Sequence, residues 1–216
     1  MFAGHYGVSF IAKKADPSIP LWVLFLATQW LDIIWAPLVL LGVEKVRIVP
    51  GFTATSPLDL YYMPYTHSLV AAVLWSVGVA GAYRVLRRSE ARTSVVVGLV
   101  VFSHWVLDLV SHSPDLPIYD NTAKVGLGLW NHPVWSSGIE ATLLLGAVAA
   151  YIRGRPTHRT AILIFSVVML GIQAYLSFGP PLPSPASTAG AALGAYVAFA
   201  FVIWFIADRP EAMKAV

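Results

Sequence analysis

The chain has 216 residues, of which 57% are hydrophobic and only 12% are charged, whereas soluble domains carry about 25% charged residues. Together with a mean hydropathy of +0.70, this composition excludes an ordinary soluble domain and predicts a membrane protein. The chain has no cysteine, which excludes disulfides, thiolate zinc sites and iron–sulfur clusters, so metal ligands would have to be His, Asp and Glu.

Six apolar stretches are each long enough to cross the bilayer core, which needs about 20 helical residues. In chain order they cover residues 20–42, 66–86, 92–112, 133–151, 159–178 and 186–207. The apolar segment before them ends at Lys13 and Lys14, and we expect it to form a short re-entrant helix. The predicted fold class is therefore all-α, a polytopic membrane helix bundle with about six transmembrane helices. Nothing divides residues 1–216 into more than one domain.

Basic residues are concentrated on one side of this predicted bundle. That side holds 11 of the 14 Lys and Arg residues, and only Lys45, Arg47 and Lys124 lie opposite. The positive-inside rule then predicts a multi-pass protein of the cytoplasmic membrane with both termini in the cytoplasm. Because topology explains the basic residues, the pI near 9.2 does not indicate nucleic acid as a partner. The eleven are Lys13, Lys14, Arg84, Arg87, Arg88, Arg92, Arg153, Arg155, Arg159, Arg209 and Lys214.

The connections and the last two spans differ in their expected roles. The long connections 43–65 and 113–132 face away from the cytoplasm, and such loops often cover a site. The proline-rich segment 179–185 is expected to be a plain connector.

The last two spans contain no ionisable residue between Arg159 and Asp208, so we expect them to supply packing, a lipid-facing wall or an oligomer contact. Gly190-x-x-x-Gly194 gives the last span a face for close approach.

The most informative feature is a stripe of ionisable residues in the third span. His104, Asp108 and His112 lie four residues apart, so their side chains fall within about 80° on one helix face. Ionisable groups at bilayer depth are costly and usually mark a functional site. Metal binding is the favoured interpretation, and the alternative is a polar cluster that locks the helix to its neighbours. His112 directly precedes Ser113-Pro114, so it is also compatible with the membrane interface.

Other ionisable residues in the first four spans are candidates for the same site. Asp32 lies twelve residues into the first span, where a metal or a histidine would compensate its charge. His67 at the start of the second span is a ligand candidate or an interfacial helix cap. Glu140 in the fourth span is a ligand, a general base or a hydrogen-bond acceptor for a neighbouring helix. Glu44 is a ligand or a headgroup-level partner of Lys45 or Arg47. Outside the site we expect His132, His158, Asp59, Asp115 and Asp120.

These residues occur within an ordered set of short motifs. The set is Gly4-His5-Tyr6, Asp32, Gly42-Val-Glu44, Tyr65-Thr-His-Ser68, His104-x-x-x-Asp108 and Gly126-Leu-Gly-Leu-Trp-Asn131 before Glu140. Through about residue 151 the chain resembles a bacterial inner-membrane family described as metal-dependent hydrolases, which is distantly similar to zinc-dependent phospholipase C. The resemblance implies an all-helical fold and metal ligands at His5, Asp32, His67, His104 and Asp108. The final His-x-x-x-Glu pair of that fold is not intact, because Ser136 stands four residues before Glu140, so a full set of three metals is not implied.

The leading hypothesis is a membrane-embedded hydrolase with one or two divalent ions, zinc being favoured by the imidazole content. Its metal ligands would be His5, Asp32, His67, His104, Asp108 and His112, and its catalytic residues Asp108 and Glu140. A site in the outer half of the bundle suggests membrane lipids as partners and a lipid or lipid-linked phosphoester or ester as substrate. The alternatives are a metal or proton transporter with the same ligands, and a non-catalytic structural membrane protein. The oligomeric state is left open by the sequence.

Overall fold

A computed structural model describes residues 2–153 and 158–209 and confirms the all-α helix bundle. A single π-helical turn, Trp204–Asp208, continues the last helix. Arg155 and Lys214, which entered the topology prediction, lie outside the described residues. The helices are α1 (Ala3–Ala15), α2 (Leu21–Thr28), α3 (Trp30–Leu40), α4 (Leu69–Arg87), α5 (Ala91–Ser111), α6 (Pro133–Ile152), α7 (Arg159–Phe178) and α8 (Pro185–Ile203).

Helices α4 to α8 are each long and apolar enough to cross a membrane. A sixth crossing is formed when α2 and α3 are taken together, although they are bent by 52° relative to each other. The described residues thus have the helices expected of a multi-pass membrane protein. The first predicted span is correct in extent, but it is broken at Gln29 instead of being one straight helix.

Helix α1 enters the bundle without crossing it. Its 13 residues span about 20 Å at helical rise, less than the bilayer core. Its first turn is buried against α6, and its last turn holds Lys13, whose Nζ lies 4.0 Å from Asp208 Oδ1 beyond the end of α8. The re-entrant helix predicted for the N-terminal segment is therefore present, and it ends on the same side as α8.

Close backbone contact fixes α1 to α6. A Cβ atom on Gly7 would lie 2.7 Å from the Leu143 carbonyl oxygen, so only glycine allows the two backbones to approach this closely. The position of His5, half a turn away on α1, consequently depends on this contact.

Aromatic rings fill the half of the bundle that surrounds the C-terminal part of α1. Tyr6 and Phe25 have ring centroids 4.7 Å apart, and Phe10 contacts both Phe25 and Tyr151 at 5.5 and 5.4 Å. Phe165 and Phe199 extend the same cluster from α7 and α8. All of these rings are buried, so this half of the bundle is packed with apolar side chains.

The opposite end of the bundle is covered by its two long connections. The first forms an antiparallel hairpin of β1 (Lys45–Ile48) and β2 (Leu58–Tyr62). The second folds against it, with the Thr55 amide donating to the Trp130 carbonyl over 3.1 Å. Both connections therefore cover one end of the bundle, in agreement with the role expected from their length.

Candidate metal centre

Five ionisable side chains from distant parts of the chain meet inside the bundle. They form two compact sets of ligand atoms that share His104, and within each set all atoms lie within 4.8 Å of one another. The histidines and Asp108 are almost fully buried, and Asp32 is partly exposed. The two sets are His5, His104 and Asp108, and Asp32, His67 and His104.

The spacing of these atoms is the spacing of metal ligands. The distance from His104 Nε2 to Asp108 Oδ2 is 3.0 Å, that from His67 Nε2 to Asp32 Oδ1 is 3.3 Å, and that from His5 Nε2 to Asp108 Oδ1 is 3.4 Å. Ligand atoms about 2.0 to 2.1 Å from a tetrahedral zinc ion are about 3.3 Å apart. The donor set and its dimensions fit a divalent ion.

The break between α2 and α3 orients the ring of His104. In a continuous helix the Thr28 carbonyl would accept from the amide of Asp32, but here it accepts from His104 Nδ1 over 2.8 Å. A carbonyl only accepts, so Nδ1 carries the hydrogen and Nε2 keeps its lone pair in the neutral ring. Nε2 points at Asp108 Oδ2, 3.0 Å away, without the geometry of a hydrogen bond. Metal-binding histidines characteristically have this arrangement.

A second chain of hydrogen bonds orients His67. The Thr66 hydroxyl donates to Glu44 Oε2 over 2.6 Å, and therefore accepts from His67 Nδ1 at 2.7 Å. Glu44 also accepts from the amides of Tyr65 and Thr66. Burial raises the pKa of the Glu44 carboxyl above its ordinary value. Glu44 is thus neither a direct ligand in these sets nor a partner of Lys45 or Arg47, and Arg47 pairs with Asp59 instead.

His112 lies beside the cluster rather than within either compact set. Its Nδ1 is 2.9 Å from Asp115 Oδ1, its Nε2 is 3.8 Å from Asp108 Oδ1, and its ring packs on Trp130. The helix ends at Ser111, so this side chain follows the turn into the loop and no longer continues the stripe. Asp115, which we expected to lie outside the site, is buried against this ring.

Glu140 has the contacts of a hydrogen-bond acceptor for neighbouring helices, one of the three roles predicted for it. Its Oε2 accepts from the amides of Phe2 and Gly4 at 2.8 and 3.2 Å, and Gln173 Nε2 donates to its Oε1 over 3.2 Å. Glu140 belongs to neither ligand set. A carboxylate at the start of a helix satisfies free amides and interacts favourably with the helix dipole. Its observed contacts hold the start of α1, which carries His5.

Helix α8 supplies a polar residue that sequence reasoning missed. Tyr196 Oη donates to Asp32 Oδ2 over 2.6 Å, so the last span contributes more than packing or a lipid-facing wall. The available signal was a single phenol within a span of otherwise small and apolar residues. A Cβ atom on Gly190 or Gly194, by contrast, would meet nothing within 4 Å, so the described chain makes no close approach there.

A cavity of about 410 Å³ leads to the cluster. Asp32, His67, Asp108 and His112 line its inner end, and another part of its wall comes from residues of α7 and α8 such as Ile172, Leu176 and Ala192. Pro180, Pro181 and Leu182 also line it. The segment 179–185 was expected to be a plain connector, and that expectation was incomplete because its prolines form part of the cavity wall.

The remaining ionisable candidates lie elsewhere, as expected. His132 is exposed at the start of α6, and His158 precedes α7 at the other end of the bundle. Asp59 is held by Arg47 in the hairpin, and Asp120 is exposed in a turn.

Comparisons with protein-family models, with curated proteins and with solved structures find no match for this chain.

Proposed function

We propose that the protein is a membrane-embedded metal-dependent hydrolase that cleaves a phosphoester or ester of a lipid or lipid-linked substrate. The observation that carries the proposal is the pair of oriented histidines, His67 and His104. Their Nδ1 atoms are engaged by outer acceptors, and their Nε2 atoms face carboxylates at the inner end of an apolar cavity. The five converging residues are also those picked out by the resemblance to bacterial metal-dependent hydrolases.

Zinc is the ion that the donor set favours. Imidazole nitrogens with carboxylate oxygens suit zinc, whereas magnesium and calcium prefer oxygen ligands alone. When bound, such an ion supplies a Lewis acid that polarises a phosphoryl or carbonyl oxygen and lowers the pKa of water. His5, Asp32, His67, His104 and Asp108 would hold it, with His112 near enough to interact with a second ion.

The chain's own residues orient the reactants. Asp108 places one oxygen near His5 and the other near His104, and it lines the cavity, so it offers a carboxylate for the proton that an attacking water loses. In hydrolysis the water oxygen bonds to phosphorus, the ester P–O bond breaks, and the released alcohol receives a proton. Tyr196 restrains Asp32 through its hydrogen bond, and Glu140 acts as a positioning residue for His5 through α1.

Two observations favour a hydrolase over the alternatives. A transporter needs a path through the other half of the bundle, but there the described residues form the packed aromatic cluster around Phe10 and Phe25. A purely structural His–Asp cluster would satisfy its donors and acceptors. In the described chain Nδ1 of His5 is instead buried without a hydrogen-bond partner, which is costly unless a ligand engages it. The Nε2 atoms of His5 and His104 have only Asp108 oxygens near them, at 3.4 and 3.0 Å.

The proposal also covers the membrane in which the protein resides and its orientation there. We place the protein in the bacterial inner membrane, with the C-terminal end of α1, the α4–α5 connection and the end of α8 at the cytoplasmic side. Arg87, Arg88 and Arg92 lie at that side together with Ala15 and Asp16. The hairpin and the cavity mouth then belong to the outer half of the membrane.

The direct test is hydrolysis by purified protein of water-soluble phosphoesters and phospholipids, before and after chelation and with zinc restored. We expect activity that chelation removes and zinc restores.

The Asp108→Asn variant should lose activity and bound metal together, whereas Asp120→Asn, in an exposed turn, should change neither. Glu140→Gln, which weakens the contacts that hold the start of α1, should lower the melting temperature. Its effect on zinc affinity should be smaller than that of Asp108→Asn. Zinc flux into vesicles without hydrolysis by the parent protein would favour the transporter and overturn the proposal.

A further inference from the structure

The cavity joins two surfaces of opposite character. Its inner end is polar, with the carboxylates of Asp32 and Asp108 and the ring of His67. Its long wall is apolar and comes from Ile172 and Leu176 of α7 and from small residues of α8. Both helices are long and apolar enough to cross a membrane, so their outward faces would contact lipid chains there.

Several residues that line the cavity at the end of α7 and in the first half of α8 are exposed, so we infer that the mouth of the cavity lies between these helices. Tyr175 and Leu176 are 56% and 46% exposed, and Ala191 is also exposed. These residues line the cavity and at the same time reach the outer surface of the bundle. In a membrane that surface is covered by lipid chains, so a chain can pass sideways into the cavity without crossing water.

The hairpin and the second long connection contribute to the cavity wall at the end of the bundle that they cover. Ile48, Pro57 and Leu58 from the hairpin and Trp130 from the other connection contribute apolar lining. At about 410 Å³ the space falls within the range of about 300 to 1,000 Å³ typical of sites for small ligands. The space can hold part of an apolar chain together with a compact polar head.

We propose that the substrate is a phosphoester of a long-chain alcohol or acylated glycerol whose apolar chain enters between α7 and α8 and lies against α8. Ala191, Ala192 and Ala195 leave the room for that chain, and its phosphoester reaches Asp32, His67 and Asp108. This inference rests on the proposed function for its chemistry, but the chain-binding wall can be tested without turnover. The small residues of α8 are therefore specificity-determining residues for chain length.

The binding test uses a long-chain alkyl phosphate with a diazirine in its chain. After irradiation of the protein in detergent micelles, we expect labels within 172–196. In the Ala192→Leu/Ala195→Leu variant the leucines fill the wall, and labelling there should fall at least tenfold. Ala198→Leu, exposed on the same helix, is the matched control and should label like the parent. The single variant Ala191→Leu, at the exposed mouth, provides a milder block in case the double variant does not fold.

The turnover test compares a long-chain phosphoester with a water-soluble short-chain one. The double variant should lose at least tenfold in kcat/KM for the long-chain compound and less than twofold for the short one. An equal loss of kcat/KM for the long-chain and the short-chain compound would overturn the inference. So would photolabelling that is spread over α4 and unchanged in every α8 variant. Neither result would contradict hydrolysis itself. Labelling as expected without hydrolysis of either compound would instead retain the chain site and contradict the proposed function.

Discussion

Contacts outside the ligand sets determine which ring nitrogens would be available to a metal. His104 donates to the Thr28 carbonyl, His67 donates to the Thr66 hydroxyl, and His112 lies against Asp115. Because each outer contact engages Nδ1, the Nε2 atoms of all three rings are directed toward the carboxylates. Such outer partners commonly affect metal affinity by about 10- to 100-fold.

The Glu44→Gln variant tests this orientation at His67. An amide NH₂ in place of Oε2 cannot accept from the Thr66 hydroxyl, so that hydroxyl becomes free to donate to His67 Nδ1. This favours the tautomer with hydrogen on Nε2, which cannot ligate. We expect zinc affinity to fall about 10- to 100-fold, measured by competition with a chelating indicator. Glu90→Gln, at an exposed position, is the control, and equal affinity in both variants would refute the role given to Glu44.

At the residue scale, the sequence was informative about ligands and silent about their partners. Histidine and aspartate in apolar spans stand out because their burial is costly, so His104, Asp108, Asp32 and His67 could be predicted to converge. The partner of His104 is a backbone carbonyl, which no residue type signals. Tyr196 was missed for the related reason that its contact with Asp32 joins residues 164 positions apart.

Among the helices, the break at Gln29 and the short α1 have the largest effect on the site. The sequence shows no glycine or proline at the break, and Pro37 lies inside α3 instead. Tertiary partners account for it, because the Thr28 carbonyl accepts from His104 and the Thr28 hydroxyl donates to the His5 carbonyl. Span prediction from hydropathy cannot anticipate such a bend, since the composition is equally apolar on both sides of it.

The Gly7→Ala variant tests whether α1 positions His5. The added methyl group would lie 2.7 Å from the Leu143 carbonyl oxygen, so α1 must move away from α6. Overpacking of this kind typically costs about 1 to 3 kcal/mol, and we expect a lower melting temperature together with weaker zinc binding. Gly146→Ala on α6 is the matched control because it meets nothing within 4 Å. A variant at Gly7 that binds zinc like the control would show that His5 does not depend on this contact.

Over the whole molecule, the sequence predicted the number of spans and the charge asymmetry better than the shape of the cavity. Both predictions use quantities summed over many residues, namely hydropathy and the positions of Lys and Arg. The cavity depends on where the ends of α7 and α8 separate, and on small residues such as Ala192 that resemble any lipid-facing alanine. The depths of the ionisable residues predict a cavity in the outer half of the bundle, but the apolar wall from α7 and α8 had no signal in a chain read segment by segment.

Topology can be measured directly because the chain has no native cysteine. Ala54→Cys in the hairpin connection and Arg87→Cys at the end of α4 are both exposed, and each would carry the only thiol. In intact cells, a membrane-impermeant maleimide should label Ala54→Cys, and it should label Arg87→Cys only after permeabilisation. The reverse pattern would contradict the assignment of the basic side to the cytoplasm.

The most direct measurement for the metal site is the zinc content of the purified protein after saturation with zinc and dialysis, combined with X-ray absorption at the zinc edge. We expect at least one ion per chain with nitrogen and oxygen neighbours at about 2.0 to 2.1 Å. His104→Gln removes the residue shared by both ligand sets and should abolish this binding, whereas His132→Gln at an exposed position should not. Absence of bound zinc in the parent protein, or full occupancy in His104→Gln, would contradict the claim that these residues form a metal site.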